Sequence, residues 1–354
     1  AQQRLLKQAY QSAYADDARF RALTHRLLKL PAPEEPPKGK AKAPLDACKL
    51  PGEFAALPLF ELLHGQIDFA ESLGIRLDRL EVKALDCAPR ERDFIEAMQR
   101  FHQHFNALLQ GQGLISFNGA FAQLSERLSS DGGKSGPALL ALSHLLIDEF
   151  QDISPQIVLW LQAVHRRLHA AGERISLMAI GDDWQSIYGW RGSSPELFID
   201  FDRHFPSRGR SKSSTLLLGT NYRSIEPVIR DGEKVLAEVH SKQAKTCIAA
   251  KAMQPGDHGV KLIQRFDLAS GLPALLQEIT AQCQHVSQRP NADRTAVLLL
   301  SRRNEPLQQV RAQLDKTLPV RAMTIHRAKG LQAEVAIILD DCLPADKHPL
   351  RNAL

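Results

Sequence analysis

Asp148 and Glu149 stand side by side where an apolar run ends, and Phe150, Gln151 and Asp152 follow them. Adjacent carboxylates at the tip of a buried strand repel one another, which is costly unless a cation or hydrogen bonds offset it. An Asp that holds Mg2+ beside a Glu that polarises a water would form half of a nucleoside triphosphatase site; a solvated strand end is the alternative. A second apolar run closes in Gly181, Asp182, Asp183, Trp184 and Gln185, where a glycine turn would set the amide of Gln185 beside those carboxylates. Tyr188, Trp190 and Arg191 come next, flanked by Gly189 and Gly192, which let a backbone approach closely. Aromatic faces with an arginine suit single-stranded nucleic acid, at about 1–3 kcal/mol per stacked base. Packing of Tyr188 and Trp190 in a core is the competing reading.

Such residues need strands to hold them. Short runs rich in Leu, Ile and Val recur at 141–148, 174–182, 215–219, 295–301, 320–326 and 335–340, separated by helix-length segments. Runs of this kind, mostly without alternation, predict strands buried on both faces of a parallel sheet, hence an α/β fold. Ligands in such sheets bind at the carboxyl ends of strands, where the residues above fall. Residues 1–110 instead carry apolar positions at three- and four-residue steps and predict helices. Within them, residues 31–45 hold five prolines and three lysines and predict a solvated loop, with a nucleic-acid tether as the alternative. GLISFN, from Gly113, begins a turn and one further helix, and Pro195 with Glu196 opens another.

Composition sets the outer bounds. The 354 residues suffice for two or three domains, and 44% hydrophobic with 24% charged residues excludes global disorder. Lys and Arg number 45 against 40 for Asp and Glu, a net +5 that permits a polyanionic partner without requiring one. Cysteines at 48, 87, 247, 283 and 342 form no CxxC pair, so neither a disulfide framework nor a zinc site is written, and a reducing cytoplasm fits. No window reaches the roughly 20 apolar residues of a membrane span, so no membrane partner is expected.

Four stretches taken together resemble a known family. IDEFQD with GDDWQSIYGWRGS is similar to motifs II and III of UvrD/Rep-type superfamily 1 DNA helicases. LLLGTNYRS resembles motif IV through Asn221, Tyr222, Arg223 and Ser224; MTIHRAKGLQAEVAIIL resembles motif V through Thr324, His326, Lys329 and Gly330. GLISFN resembles the segment by which these chains re-enter their first motor domain. Trp184, where Asp is common, resembles the helicase IV branch. The resemblance implies ATP and Mg2+ as cofactors, Asp148 as the Mg2+ ligand and Glu149 as the group that activates the attacking water. Gln185 would sense the γ-phosphate, Tyr222 would stack on adenine, and Arg223 would cross from the second motor domain to the transferring phosphoryl group. Gly330 and Gln332 would lie against the nucleotide, Gln332 standing where a ribose-binding Glu is usual. Tyr188, Trp190 and Arg191 would engage bases, and Thr324 and His326 the DNA backbone.

The sequence also departs from that pattern. No Walker A loop precedes Asp148; the closest imitation, Asp131 to Ser135, has Leu128 where the first glycine is required and reads as a loop. No motif VI follows motif V, the chain starts at Ala1, and a helicase segment truncated at both ends and inactive alone is the expectation. Only residues 225–323 separate motifs IV and V, too few for a large inserted 2B-like domain. The expected organisation is a helical, 1B-like accessory region over 1–110, a first RecA-like motor domain of the P-loop NTPase class over 111–212 lacking its Walker A strand, and a second over 213–354. Arg203 to Lys212 would be the basic hinge. The expected function is ATP-driven movement, 3' to 5', on single-stranded DNA or a duplex with a single-stranded tail, with a protein loading partner. A non-catalytic nucleic-acid-binding module and a motor subunit of a nuclease or defence complex are the alternatives.

Overall fold

The computed structural model describes residues 2–33, 42–51, 56–130, 136–173, 175–206, 213–239, 241–289 and 295–339. Residues 34–41 of the Pro/Lys-rich loop, the glycine pair and lysine of 131–135, the basic stretch 207–212 and everything after Leu339 lie outside them. The chain divides into two compact units. One runs to Gly219 and includes Leu236–Thr246; the other comprises Thr220–Val235 and, among the described residues, 247–339.

The first unit opens with helices α1 (Gln2–Asp16) and α2 (Ala18–Leu28), a short hairpin of β1 (Ala47–Cys48) and β2 (Leu57–Pro58), and helices α3 (Leu59–Ser72) and α4 (Pro89–Gly111). Asp17 caps α2 by accepting the Phe20 N–H at 3.0 Å, and Pro89 occupies the first turn of α4, where its missing N–H costs nothing. Apolar residues at helical spacing meet in one core, in which Tyr10, Phe20, Phe60, Phe94 and Phe101 are fully buried. The rings of Tyr10 and Phe20 pack edge to face at 5.7 Å.

After α5 (Phe117–Ser129) and the single turn α6 (Pro137–Leu140), strand β3 (His144–Ile147), helix α7 (Pro155–Ala170) and strand β4 (Ser176–Ala179) form a parallel unit, followed by the short helices α8 (Glu196–Ile199) and α9 (Phe201–His204). A second apolar core, with Phe150, Val158, Leu161, Leu197 and Phe205, covers one face of this pair. The other face leaves Leu146 66% and Met178 51% exposed, so the expectation of strands buried on both faces fails here. One covered face produces alternation, whatever the hydrophobicity of the run.

The second unit contains β5 (Thr220–Asn221), α10 (Glu226–Val235), β6 (Ile248–Ala249), α11 (Leu268–Ser287), β7 (Val297–Ser301), α12 (Asn304–Gln313), β8 (Val320–Thr324), α13 (Ile325–Ala328) and β9 (Val335–Leu339). Its main sheet runs β8–β7–β9, all parallel, with α11 and α12 contributing to the core. Central β7 is buried along nearly all its length, as its unbroken apolar run requires. The run at 215–219 is the exception among the predicted strands: Leu216, Leu217 and Leu218 are exposed and form no ladder, and pairing begins only at Thr220. An apolar run becomes a strand only where a neighbouring backbone accepts its hydrogen bonds.

Candidate functional site

Two strand ends build the site in the first unit. Strands β3 and β4 pair in register from His144 and Ser176 to Ile147 and Ala179, and the ladder continues as Ile180 N–H donates to Ile147 O at 2.8 Å and Phe150 N–H to Ile180 O at 2.9 Å. The two chains therefore leave the same edge side by side, β3 into Asp148–Asp152 and β4 into Gly181–Gln185. Asp148 and Glu149 are both exposed, and Glu149 adopts a left-handed backbone at φ 52°, a conformation disfavoured for any residue with a Cβ. Its N–H is satisfied by Asp148 Oδ1 at 2.8 Å.

Gln151, fully buried, links the two turns. Its amide NH2 donates to Glu149 Oε2 at 2.6 Å, and its amide oxygen accepts the Asp182 N–H at 3.0 Å. Gly181 makes this possible, because a Cβ there would overlap the Gln151 amide oxygen and sit 3.2 Å from Phe150 N. The amide of Gln185 reaches Asp182 Oδ2 at 2.7 Å.

Asp182 and Asp183 share the ammonium of Lys245, which lies 2.6 Å from Asp183 Oδ1 and 4.7 Å from the centroid of the Trp184 ring. Burial works to raise the Asp182 carboxyl, but the hydrogen bonds from Lys245 and Gln185 outweigh it and hold the group below the usual carboxylate range.

The loop that follows presents the aromatic residues. Trp190 is 45% exposed, Tyr188 is half-buried, and the Arg191 guanidinium lies 4.5 Å from the Trp190 ring and 5.5 Å from Tyr188. Gly192, at φ 88°, turns the chain against the end of α3, where a Cβ would collide with the Ser72 hydroxyl. Helical region and aromatic loop thus meet through a glycine.

The remaining sequence candidates fall in the second unit. Tyr222 and Arg223 follow β5 and are exposed; Asn221 Oδ1 fixes their turn by accepting the N–H groups of Arg223 at 2.9 Å and Ser224 at 2.8 Å. Thr324 ends β8 at the start of α13, with His326 in that helix; both are half-buried. Gly330, at φ 79°, and Gln332 are exposed in the loop before β9.

Among the described residues no three His, Cys, Asp or Glu side chains cluster to hold a metal. Asp148 offers an exposed carboxylate at a strand tip, a donor of the kind Mg2+ takes when phosphates and waters complete its shell. No described helix is long and apolar enough to cross a membrane.

Sequence reasoning passed over Gln151, Asp182 and Lys245. Gln151 carried a signal, a polar residue two positions beyond Glu149 in a segment that must turn inward. Lys245 carried none, being 62 residues from Asp183.

Comparison with known proteins agrees with these motifs. The UvrD/REP helicase N-terminal domain matches residues 3–206. DNA helicase IV of Escherichia coli (strain K12) is 27% identical over 286 residues, 75% of this chain and 38% of that protein. YjcD of Bacillus subtilis (strain 168), whose name marks it as a candidate ATP-dependent DNA helicase, is 37% identical over 109 residues, 31% of this chain and 13% of its own. DNA helicase II of Haemophilus influenzae is 33% identical over 102 residues, 29% of this chain and 12% of its own. The chain thus spans well under half the length of these relatives. With the family profile covering more than half of its residues, the chain belongs to the UvrD/Rep helicase family.

Proposed function

We propose that this chain is the nucleotide- and DNA-engaging part of an ATP-dependent DNA helicase or translocase, acting on single-stranded DNA or a tailed duplex in the 3' to 5' direction. The observation that carries the reading is the union of the Asp148–Glu149 turn with the Gly181–Gln185 turn through Gln151. Glu149 takes the proton of the water that attacks the γ-phosphorus as the bond to ADP breaks, and its left-handed backbone and its bond from Gln151 fix the carboxylate for that task. Asp148 holds Mg2+, which neutralises charge on the phosphates when bound. Gln185 reads the state of the γ-phosphate. We assign Tyr222 to adenine, Arg223 to the transferring phosphoryl group, and Gly330 with Gln332 to the nucleotide. A planar guanidinium suits a phosphoryl group that a lysine could not match in shape. Tyr188, Trp190 and Arg191 hold bases, and Thr324 and His326 the DNA backbone.

The proposed organisation is a helical accessory region over 1–110 and RecA-like regions over 111–212 and 213–354. Three separate apolar cores, one in each region, support it. A protein that loads the motor onto DNA is part of the proposal. The test is Glu149→Gln in the full-length gene product: ATP binding stays and DNA-stimulated turnover is abolished. Full turnover in that variant would refute the assigned base.

A further inference from the structure

One loop of the first unit comes from a distant part of the sequence: Leu236–Thr246 packs there, while Thr220–Val235 before it and the described residues 247–339 after it belong to the second unit. The loop carries Lys245 into the Asp182–Gln185 turn, and its neighbours bond to that turn and to the start of α8. Gln243 N–H donates to Asp183 Oδ2 at 2.7 Å and the Ser241 hydroxyl to Glu196 Oε1 at 3.1 Å. The Asp183 side chain is 1% exposed and that of Lys245 16%, so this pair is desolvated and its geometry is tightly held. The Trp184 ring against the ammonium adds attraction without charge. A carboxylate at that position would compete for the same ammonium.

The two oxygens of Asp182 are divided between partners. Oδ1 takes Lys245 and, at 3.1 Å, the Trp184 N–H; Oδ2 takes the Gln185 amide. Lys245 therefore holds the carboxylate that holds Gln185. We infer that Lys245 is a positioning residue for Gln185: acting through Asp182, it fixes the side-chain amide and so sets how strongly single-stranded DNA stimulates ATP turnover. The inference rests on the proposed role of Gln185 as phosphate sensor.

The test measures ATP turnover of the full-length gene product with and without an oligothymidylate strand. Lys245→Met is expected to lower DNA-stimulated turnover by up to about a hundredfold, the scale of a reacting group misplaced by a distant substitution, with KM for ATP unchanged. Lys245→Arg, whose fork can bridge both carboxylates, restores most of the loss. Because Lys245→Met leaves the Asp183 charge buried without the Lys245 ammonium, a second variant combines it with Asp183→Asn; it removes that charge and still lacks the hold on Asp182, so stimulation stays low. Wild-type stimulation in this double variant, with Gln185→Ala impaired, overturns the inference and leaves the proposed function standing. Wild-type stimulation in Gln185→Ala overturns the role of Gln185, and the inference with it.

Discussion

Gln151 hydrogen-bonds Glu149 Oε2 at 2.6 Å from a fully buried position, so the carboxylate assigned as base is held by a side chain that solvent never reaches. The same amide accepts the Asp182 N–H, which makes one residue the support of both turns. Gln151→Leu keeps the volume and removes both bonds, leaving a backbone N–H facing an apolar group. It is expected to lower the free energy of unfolding by about 1–3 kcal/mol, read from urea denaturation. An unchanged midpoint would mean that water replaces the amide without cost.

Gly181 tests the same contact from the other side. In Gly181→Ala the new methyl overlaps the Gln151 amide and approaches the Phe150 backbone, which cannot swing away. Overpacking of this kind costs about 1–3 kcal/mol. Gly181→Ala combined with Gln151→Ala should cost less than the two single changes added, since the second substitution removes the obstacle. Strict additivity of the three thermal shifts would show that the two residues do not meet.

The division between legible and illegible features follows from range. The position of Asp148, Glu149 and Gln185 just beyond strand ends could be read because an apolar run that ends in polar residues marks a strand tip, and the parallel pairing of β3 with β4 places both tips at one edge. The helical region was legible from periodicity, which its aromatic core depends on. The run at Leu216–Leu218 misled because hydrophobicity does not specify a ladder partner. Lys245 was invisible because its reason for being lysine, two carboxylates and an indole, lies in a segment far along the chain. Local pattern encodes local structure; the ion pairs that brace a turn from afar are set by tertiary packing alone.

Trp190 offers a direct measure of the DNA assignment. Half its surface is open and Arg191 lies against its ring, so truncation removes a stacking face without opening a core. Trp190→Ala is expected to weaken binding of a fluorescent single strand by about 1–3 kcal/mol in an anisotropy titration, with ATP affinity unchanged. Equal affinity for wild type and variant would place the indole in packing rather than recognition.

His64 predicts a pH dependence that belongs to the helical region alone. It sits in α3 with its ring 5.6 Å from Phe105, and its Nδ1 is buried without a hydrogen-bond partner among the described residues. Burial pushes its pKa below the ordinary 6.5, against the opposing pull of Asp68 and Glu71. The unfolded chain therefore takes up a proton near the ordinary value while the folded chain still excludes it. Stability is lost as pH falls from 6.5 toward the lower folded-state pKa, and is fully present above 6.5. His64→Leu abolishes this contribution. The stability advantage of wild type over the variant, read from denaturant unfolding at about pH 7.5 and about pH 5.5, should shrink at the lower pH. A difference that stays constant across that interval would show that the folded and unfolded chains protonate this imidazole alike, and that its burial carries no electrostatic cost.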